Sequence, residues 1–133
     1  MGVALKDIRI LVVDDELFFR RVLTDMLTKM GFTVVAEAAD GNEAVAKFRQ
    51  FRPHVTIMDI YMPEKNGIEA TREMIALNRN AAVLVCSASD FDSDTQAAID
   101  VGARGTLMKP FAPKEVYQGI VKALTTKRES PSG

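Results

Sequence analysis

Along the chain, short continuous apolar runs alternate with longer segments whose apolar positions have helical spacing. The apolar runs lie at 8–13, 33–38, 55–58, 82–86 and 105–108. Because these runs are continuous rather than alternating, they predict strands buried on both faces of a parallel sheet. The intervening segments predict helices over 16–30, 42–51, 67–78, 91–101 and 113–127.

Local signals support the helix boundaries. The apolar stripe of the first helix runs from Phe19 to Met30, and Gly31 ends it. The fourth helix has Ser89 or Asp90 as its predicted N-cap, and Pro113 opens the fifth. Five βα units predict an α/β domain in which right-handed crossovers place helices on both faces of a doubly wound sheet. Periodicity does not give the order of the strands.

Composition narrows the class of protein. The chain has 133 residues, of which 47% are hydrophobic and 26% charged, and this describes one globular domain. A net charge of −1 gives no strong attraction to nucleic acid or anionic lipid. One cysteine, no apolar run of 18 residues and no signal-peptide pattern predict a soluble, cytoplasmic protein without membrane insertion. The tail 128–133 is predicted to be a flexible end or the start of a linker.

Reactive side chains follow four of the five predicted strands. Since ligands of open α/β sheets bind beyond the carboxyl ends of the strands, these side chains are expected to meet at one edge. Each has an ordinary alternative: Asp15 or Ser87 alone is as well explained as a helix N-cap, and a single lysine as a solvated charge. The residues are Asp14, Asp15 and Glu16 after the first strand, Asp59 after the third, Ser87 after the fourth and Lys109 after the fifth.

The combination points to phosphoryl chemistry. Acidic groups gathered at one edge repel each other unless cations lie among them, and Lys109 supplies only one positive charge. Oxygen ligands without nearby His or Cys favour Mg²⁺, with Mn²⁺ as the alternative, and Mg²⁺ leaves coordination positions for a phosphate oxygen. Asp59 is then a candidate nucleophile, while Lys109 and Ser87 are candidates for binding phosphoryl oxygens. The Lys109–Pro110 bond is a candidate for a cis peptide bond.

Four motifs together resemble the receiver domain of two-component response regulators. They are Ile-Leu-Val-Val-Asp14-Asp15-Glu16, Ile-Met-Asp59-Ile-Tyr-Met-Pro63-Glu-Lys-Asn-Gly67, Cys-Ser87-Ala and Leu-Met-Lys109-Pro110-Phe111. The resemblance covers residues 7–127, and in length the chain looks most like the stand-alone chemotaxis regulators. It implies a flavodoxin-like (βα)5 fold with strand order 2-1-3-4-5.

The resemblance also implies a role for each site residue. Asp59 would accept a phosphoryl group from a sensor histidine kinase or phosphotransfer protein, Ser87 would move toward that group, and Lys109 would pair with it. The domain would catalyse only its own phosphorylation and dephosphorylation, and a downstream protein would bind through the fourth helix, fifth strand and fifth helix. The implied Mg²⁺ ligands are Asp14, Asp15, Asp59 and the backbone carbonyl of Tyr61.

Two positions depart from the family pattern. Thr106 stands where the family often has an aromatic switch residue, so we expect the signal to pass by backbone movement after Ser87 and around Lys109. Tyr61, two residues after Asp59, is bulky beside a site that must admit water. Its ring is expected either to cover the phosphoryl group and slow hydrolysis, or to point into solvent.

Three other functions compete with the stand-alone regulator. The chain could be the receiver part of a longer transcription or output regulator, which the sequence leaves open. An aspartyl-phosphate phosphohydrolase would use similar groups, but the Asp-x-Asp motif of such enzymes is absent at Asp14 and at Asp59. A flavin or dinucleotide module is disfavoured because no Gly-x-Gly-x-x-Gly follows the first strand.

Overall fold

The computed structural model describes residues 4–88 and 93–125, which form five βα units preceded by a short 3-10 helix, Leu5–Asp7. The strands are β1 (Arg9–Val13), β2 (Thr33–Ala38), β3 (Val55–Asp59), β4 (Val83–Ser87) and β5 (Gly105–Met108). The helices are α1 (Leu17–Met30), α2 (Gly41–Phe51), α3 (Gly67–Leu77), α4 (Ser93–Asp100) and α5 (Pro113–Thr125).

The strands form one parallel sheet in the order β2-β1-β3-β4-β5. This confirms the doubly wound fold and the strand order expected from the resemblance. Alternate residues of each strand pack on opposite faces of the sheet. In β1, Ile10 and Val12 both pack with α1 and α5 on one face. Leu11 and Val13 pack with α2, α3 and α4 on the other face. Both faces are therefore covered, which explains the continuous apolar runs.

The predicted boundaries need small corrections at the strand ends. β3 extends to Asp59, which pairs with Cys86, and β4 extends to Ser87, which pairs with Met108. These two polar residues are therefore the last residues of their strands, because the ladder continues one residue beyond the apolar run. Some predictions concern residues outside the described ranges. These are the N-cap at 89 or 90, the start of the fourth helix at 91–92, the end of the fifth helix at 126–127 and the tail 128–133.

Two glycines bring loops against the carboxyl edge of the sheet. A side chain on Gly67, the first residue of α3, would place its Cβ 2.2 Å from the carbonyl oxygen of Asp59. A Cβ on Gly41 would lie 2.1 Å from the carbonyl oxygen of Lys65. Only glycine permits such close approaches, so the loop after Asp59 is held tightly over the end of β3.

α2 begins with a reciprocal cap. The Asp40 carboxylate accepts a hydrogen bond of 2.8 Å from the amide of Glu43, and the Glu43 carboxylate accepts one of 2.6 Å from the amide of Ala39. This pairing satisfies two amides at the helix start and fixes the turn after β2. Among the described residues, the structure contains no helix with the length and apolar character needed to span a membrane.

Candidate functional site

Four neighbouring strands deliver the predicted site residues to one edge of the sheet. Asp14 follows β1, Asp59 ends β3, Ser87 ends β4 and Lys109 follows β5. Asp14 is 4%, Asp59 6% and Ser87 4% exposed, although all three are polar. Burial of polar side chains at the end of a sheet costs free energy unless they are paired, so their partners decide what the site can do.

Lys109 connects the two buried carboxylates. Its ammonium nitrogen lies 2.8 Å from Oδ2 of Asp14 and 3.2 Å from Oδ2 of Asp59. Its backbone amide also donates a hydrogen bond of 3.0 Å to the carbonyl of Ser87. The peptide bond from Lys109 to Pro110 is cis. One cation is thus shared between the ends of β1 and β3.

Backbone contacts fix the orientation of Asp14. Its Oδ1 accepts a hydrogen bond of 2.9 Å from the amide of Glu16, and its carbonyl accepts one of 2.7 Å from the guanidinium of Arg20. The first contact forms a tight turn that carries the chain from β1 into α1. One carboxylate oxygen of Asp14 is therefore bound to the turn, while the other faces Lys109.

Asp15 completes an acidic cluster. One carboxylate oxygen from each of Asp14, Asp15 and Asp59 lies within 4.8 Å of the others. Asp15 is exposed, so the cluster is accessible from solvent on that side. Three carboxylates and one ammonium leave a net negative charge, and oxygen donors of this kind suit Mg²⁺ or Mn²⁺.

The electrostatics of the site agree with that charge balance. Burial raises the pKa of Asp59 above its ordinary value of 3.8; the Lys109 ammonium acts against this change, and the charge of Asp14 adds to it. Burial alone would lower the pKa of Lys109, but its hydrogen bond to Asp14 and the charges of Asp59 and Asp14 raise it overall. Lys109 therefore stays charged at neutral pH. Its positive charge offsets only part of the cost of a buried negative charge on Asp59, so the pKa of Asp59 stays raised.

Comparison with known proteins decides the family. The family model described as the response regulator receiver domain matches residues 10–121. The chain belongs to the response regulator receiver family. It is 42% identical to the chemotaxis protein CheY of Thermotoga maritima over 114 residues, covering 86% of this chain and 95% of that protein. It is also 42% identical to the CheY of Bacillus subtilis over 116 residues, covering 87% of this chain and 97% of that protein.

Solved structures agree with this assignment. A chain in the crystal structure of the CheX-CheY-BeF3-Mg²⁺ complex from Borrelia burgdorferi superposes with a TM-score of 0.83 and 29% identity. The match covers 89% of this chain and 90% of that one. The protein is therefore a CheY-like receiver domain, and its cluster of Asp14, Asp15 and Asp59 fits the Mg²⁺ site of such a domain.

The two departures from the family pattern have defined surroundings in this receiver domain. Thr106 lies on β5 and lines a groove between α4 and α5 together with Ile99, Gly105 and Gly119. The Tyr61 side chain is 51% exposed, and its hydroxyl donates a hydrogen bond of 2.6 Å to Asp94 in α4. The amide of Tyr61 lies 3.4 Å from Oδ1 of Asp59. Its carbonyl as a metal ligand stays a prediction.

Sequence reasoning missed an aromatic group at the receiver site. The ring of Phe19 lies with its centroid 4.3 Å from the ammonium nitrogen of Lys109. The sequence predicts Phe19 only as a core residue, because its spacing fits the apolar stripe of α1. The available signal was its position, since it lies in the first turn of the helix that follows Asp14 and Asp15.

Proposed function

We propose that Asp59 of this receiver domain accepts a phosphoryl group in a Mg²⁺-dependent reaction, and that phosphorylation changes a partner-binding surface. The donor is a phosphohistidine on a sensor histidine kinase or a phosphotransfer protein. The main support for the proposal is the position of the Lys109 ammonium. It lies 3.2 Å from Asp59, at the edge of the sheet where three carboxylates meet. That arrangement supplies a nucleophile, a cation for the incoming phosphoryl group and a set of metal ligands. The cytoplasmic location predicted from the sequence is part of the same proposal.

In the transfer step, a carboxylate oxygen of Asp59 forms a bond to phosphorus. The phosphorus–nitrogen bond of the phosphohistidine breaks, and the imidazole leaves with the electron pair and takes up a proton. Lys109 pairs with one phosphoryl oxygen, and the Ser87 hydroxyl donates a hydrogen bond to another. Asp14, Asp15, Asp59 and the carbonyl of Tyr61 would hold a Mg²⁺ ion, which would supply positive charge to offset the phosphoryl oxygens.

The signal ends by hydrolysis of the acyl phosphate. A water molecule attacks phosphorus, the Asp59 carboxylate leaves, and inorganic phosphate is released. The domain returns to its starting state without having converted a separate substrate. Its output is therefore binding to a partner rather than enzymatic turnover.

The partner surface we propose consists of α4, β5 and α5. Four large hydrophobic side chains on these elements are exposed, with Ile99 38%, Met108 40%, Tyr117 40% and Val121 39% accessible to solvent. Exposed apolar side chains on adjacent elements are typical of a surface that binds another protein. Lys109 follows β5 directly, so a change at the phosphorylation site reaches this surface through one strand end.

Phosphorylation by a small donor tests the proposal directly. The full chain is incubated with acetyl phosphate and Mg²⁺, and its intact mass is followed with time. We expect one phosphoryl adduct in the unmodified protein and none in the Asp59→Asn variant. Asp25→Asn is a matched control, because Asp25 is an exposed aspartate on α1 paired with Lys29; this variant should still form the adduct.

A parallel incubation with Mg²⁺ and a phosphate ester tests for the competing enzyme. Rapid multiple turnover of phosphate esters without a stable adduct would favour a phosphohydrolase. An adduct that forms equally in Asp59→Asn would show that another residue is the acceptor. Either result would overturn the proposal.

A further inference from the structure

The ammonium of Lys109 has an aromatic neighbour in addition to its two carboxylates. Its nitrogen lies 4.3 Å from the centroid of the Phe19 ring, well within the range of a cation–π contact. The Lys109 side chain is only 12% exposed, so little water competes for this ammonium. Cation–π attraction strengthens when the cation is withdrawn from water.

The Phe19 ring is itself fixed between two other rings. Phe18 packs against it edge-on, with centroids 5.4 Å apart and planes at 76°. Phe111 packs against it with centroids 6.4 Å apart and planes at 86°. Both arrangements are of the edge-to-face type that aromatic pairs prefer. Phe111 lies two residues after Lys109, so the Phe19 ring contacts the same chain segment that carries the lysine.

We infer that Phe19 is a positioning residue for Lys109, whose ring holds the ammonium at Asp14 and Asp59 and keeps water from it. The inference rests on the proposed function of Asp59 as a phosphoryl acceptor. An ammonium group has three N–H donors, and a carbonyl or water in place of the ring would form a directed hydrogen bond with one of them. Asp14 and Asp59 already take up two of the donors, and the π face attracts the charge without competing for the third as a carbonyl or water would.

Simple apolar packing is the competing explanation for Phe19. Its place in the stripe of α1 requires a large apolar side chain whether or not Lys109 lies nearby. The two explanations differ in what they require of the side chain. Packing requires volume, which leucine largely supplies, whereas positioning of the ammonium requires the electron-rich face of an aromatic ring.

Two measurements on the full chain separate these explanations. The first is the NMR shift of the Lys109 Hε protons in the unphosphorylated protein, which a ring at this distance moves upfield. The second is the rate constant for phosphorylation by acetyl phosphate at saturating Mg²⁺. We expect Phe19→Leu to lose the upfield shift and to react about tenfold more slowly, whereas Phe19→Tyr retains both within about twofold.

Controls address folding and nonspecific effects. Phe51→Leu removes a ring on α2 that makes its own cation–π contact with Lys47 at 5.8 Å, and it should react at the rate of the unmodified protein. If Phe19→Leu does not fold, 3,5-difluorophenylalanine and pentafluorophenylalanine at position 19 keep the shape of the ring while weakening its electron-rich face. The rate should then fall stepwise with fluorination.

The outcomes are distinct. An unshifted Lys109 Hε signal in the unmodified protein overturns the inference, as does an unchanged rate in Phe19→Leu or across the fluorinated series. Failure of the unmodified protein to form any adduct counts against the proposed function of Asp59. In that case the Lys109 shift alone decides whether Phe19 holds the ammonium.

Discussion

The Tyr61 hydroxyl donates a hydrogen bond of 2.6 Å to a carboxylate oxygen of Asp94. Tyr61 lies two residues after the proposed acceptor, and Asp94 is in the first turn of α4. A side chain beside the proposed phosphorylation site is thus hydrogen-bonded to a helix of the proposed partner surface. The half-exposed ring of Tyr61 is held by this bond.

We predict that Tyr61 slows hydrolysis of the phosphorylated protein. Replacing Tyr61 with Asn removes a bulky ring from the approach of water, so the phosphoryl group should be lost several-fold faster. Decay is followed by intact mass after removal of the phosphodonor. Tyr61→Phe keeps the ring but loses the hydrogen bond to Asp94 that holds it, so its decay rate should lie between those of the unmodified protein and Tyr61→Asn. A Tyr61→Asn protein that decays no faster would contradict this prediction.

A second prediction concerns the metal site. Binding of Mg²⁺ to the folded protein alone should stabilise it by about 2.7 kcal/mol at a free concentration of about 100 times Kd, or roughly 10 °C in Tm for this size. Asp15→Asn should lose most of this increase, and because Asp15 is exposed, the change should leave the metal-free Tm nearly unaltered. The measurement is thermal melting with Mg²⁺ and with EDTA. Equal melting temperatures in both would rule out this metal site.

The raised pKa of Asp59 gives a prediction about pH. Between its unfolded value near 3.8 and its raised folded value, the folded protein binds the proton more tightly than the unfolded chain. The free energy of unfolding therefore falls as pH rises through this window and remains lower at neutral pH. Asn at position 59 has no proton to lose, so Asp59→Asn should gain stability relative to the unmodified protein across the window.

Metal-free urea unfolding in EDTA at several pH values measures this difference. Asp25→Asn, which replaces an exposed aspartate on α1, again serves as the control. A constant difference between Asp59→Asn and the unmodified protein from acid to neutral pH would contradict the electrostatic account of Asp59.

Thr106 leads to a prediction about signal transmission. A threonine cannot fill and vacate a pocket as an aromatic ring does, so the phosphorylated state should differ mainly in the backbone. Addition of beryllium fluoride and Mg²⁺ should shift the backbone amide signals of 87–92 and 105–112 in an NMR spectrum. Unchanged signals in both segments would contradict transmission by backbone movement.

The sequence predicts the elements, and the polar side chains that meet at one edge of the sheet, for a physical reason. Strands covered on both faces require continuous apolar runs, and the polar residues that end those runs, such as Asp59 and Ser87, necessarily lie at one edge. The order of the strands depends on packing between distant segments, so it followed only from the resemblance to receiver domains. By contrast, the excess of carboxylates over the single ammonium of Lys109 at this edge could be inferred from the residue types alone.

Contacts that depend on side-chain orientation could not be predicted in this way. Phe19 has the spacing of a core residue, and its ring meets Lys109 only because the segment after β5, which carries Lys109 and Phe111, reaches the first turn of α1. The bond between Tyr61 and Asp94 joins residues 33 positions apart, and it depends on the placement of α4. Periodicity gives the face on which a residue lies but not the partner that its side chain reaches.

Chemical mapping of the phosphorylated residue tests the central claim most directly. The protein is treated with acetyl phosphate and Mg²⁺, reduced with borohydride, which converts an aspartyl phosphate to homoserine, and digested for peptide mass analysis. The account predicts homoserine at position 59, with Asp14 and Asp15 unmodified. Homoserine at another aspartate with Asp59 intact, or a phosphoryl group that resists borohydride, would contradict it.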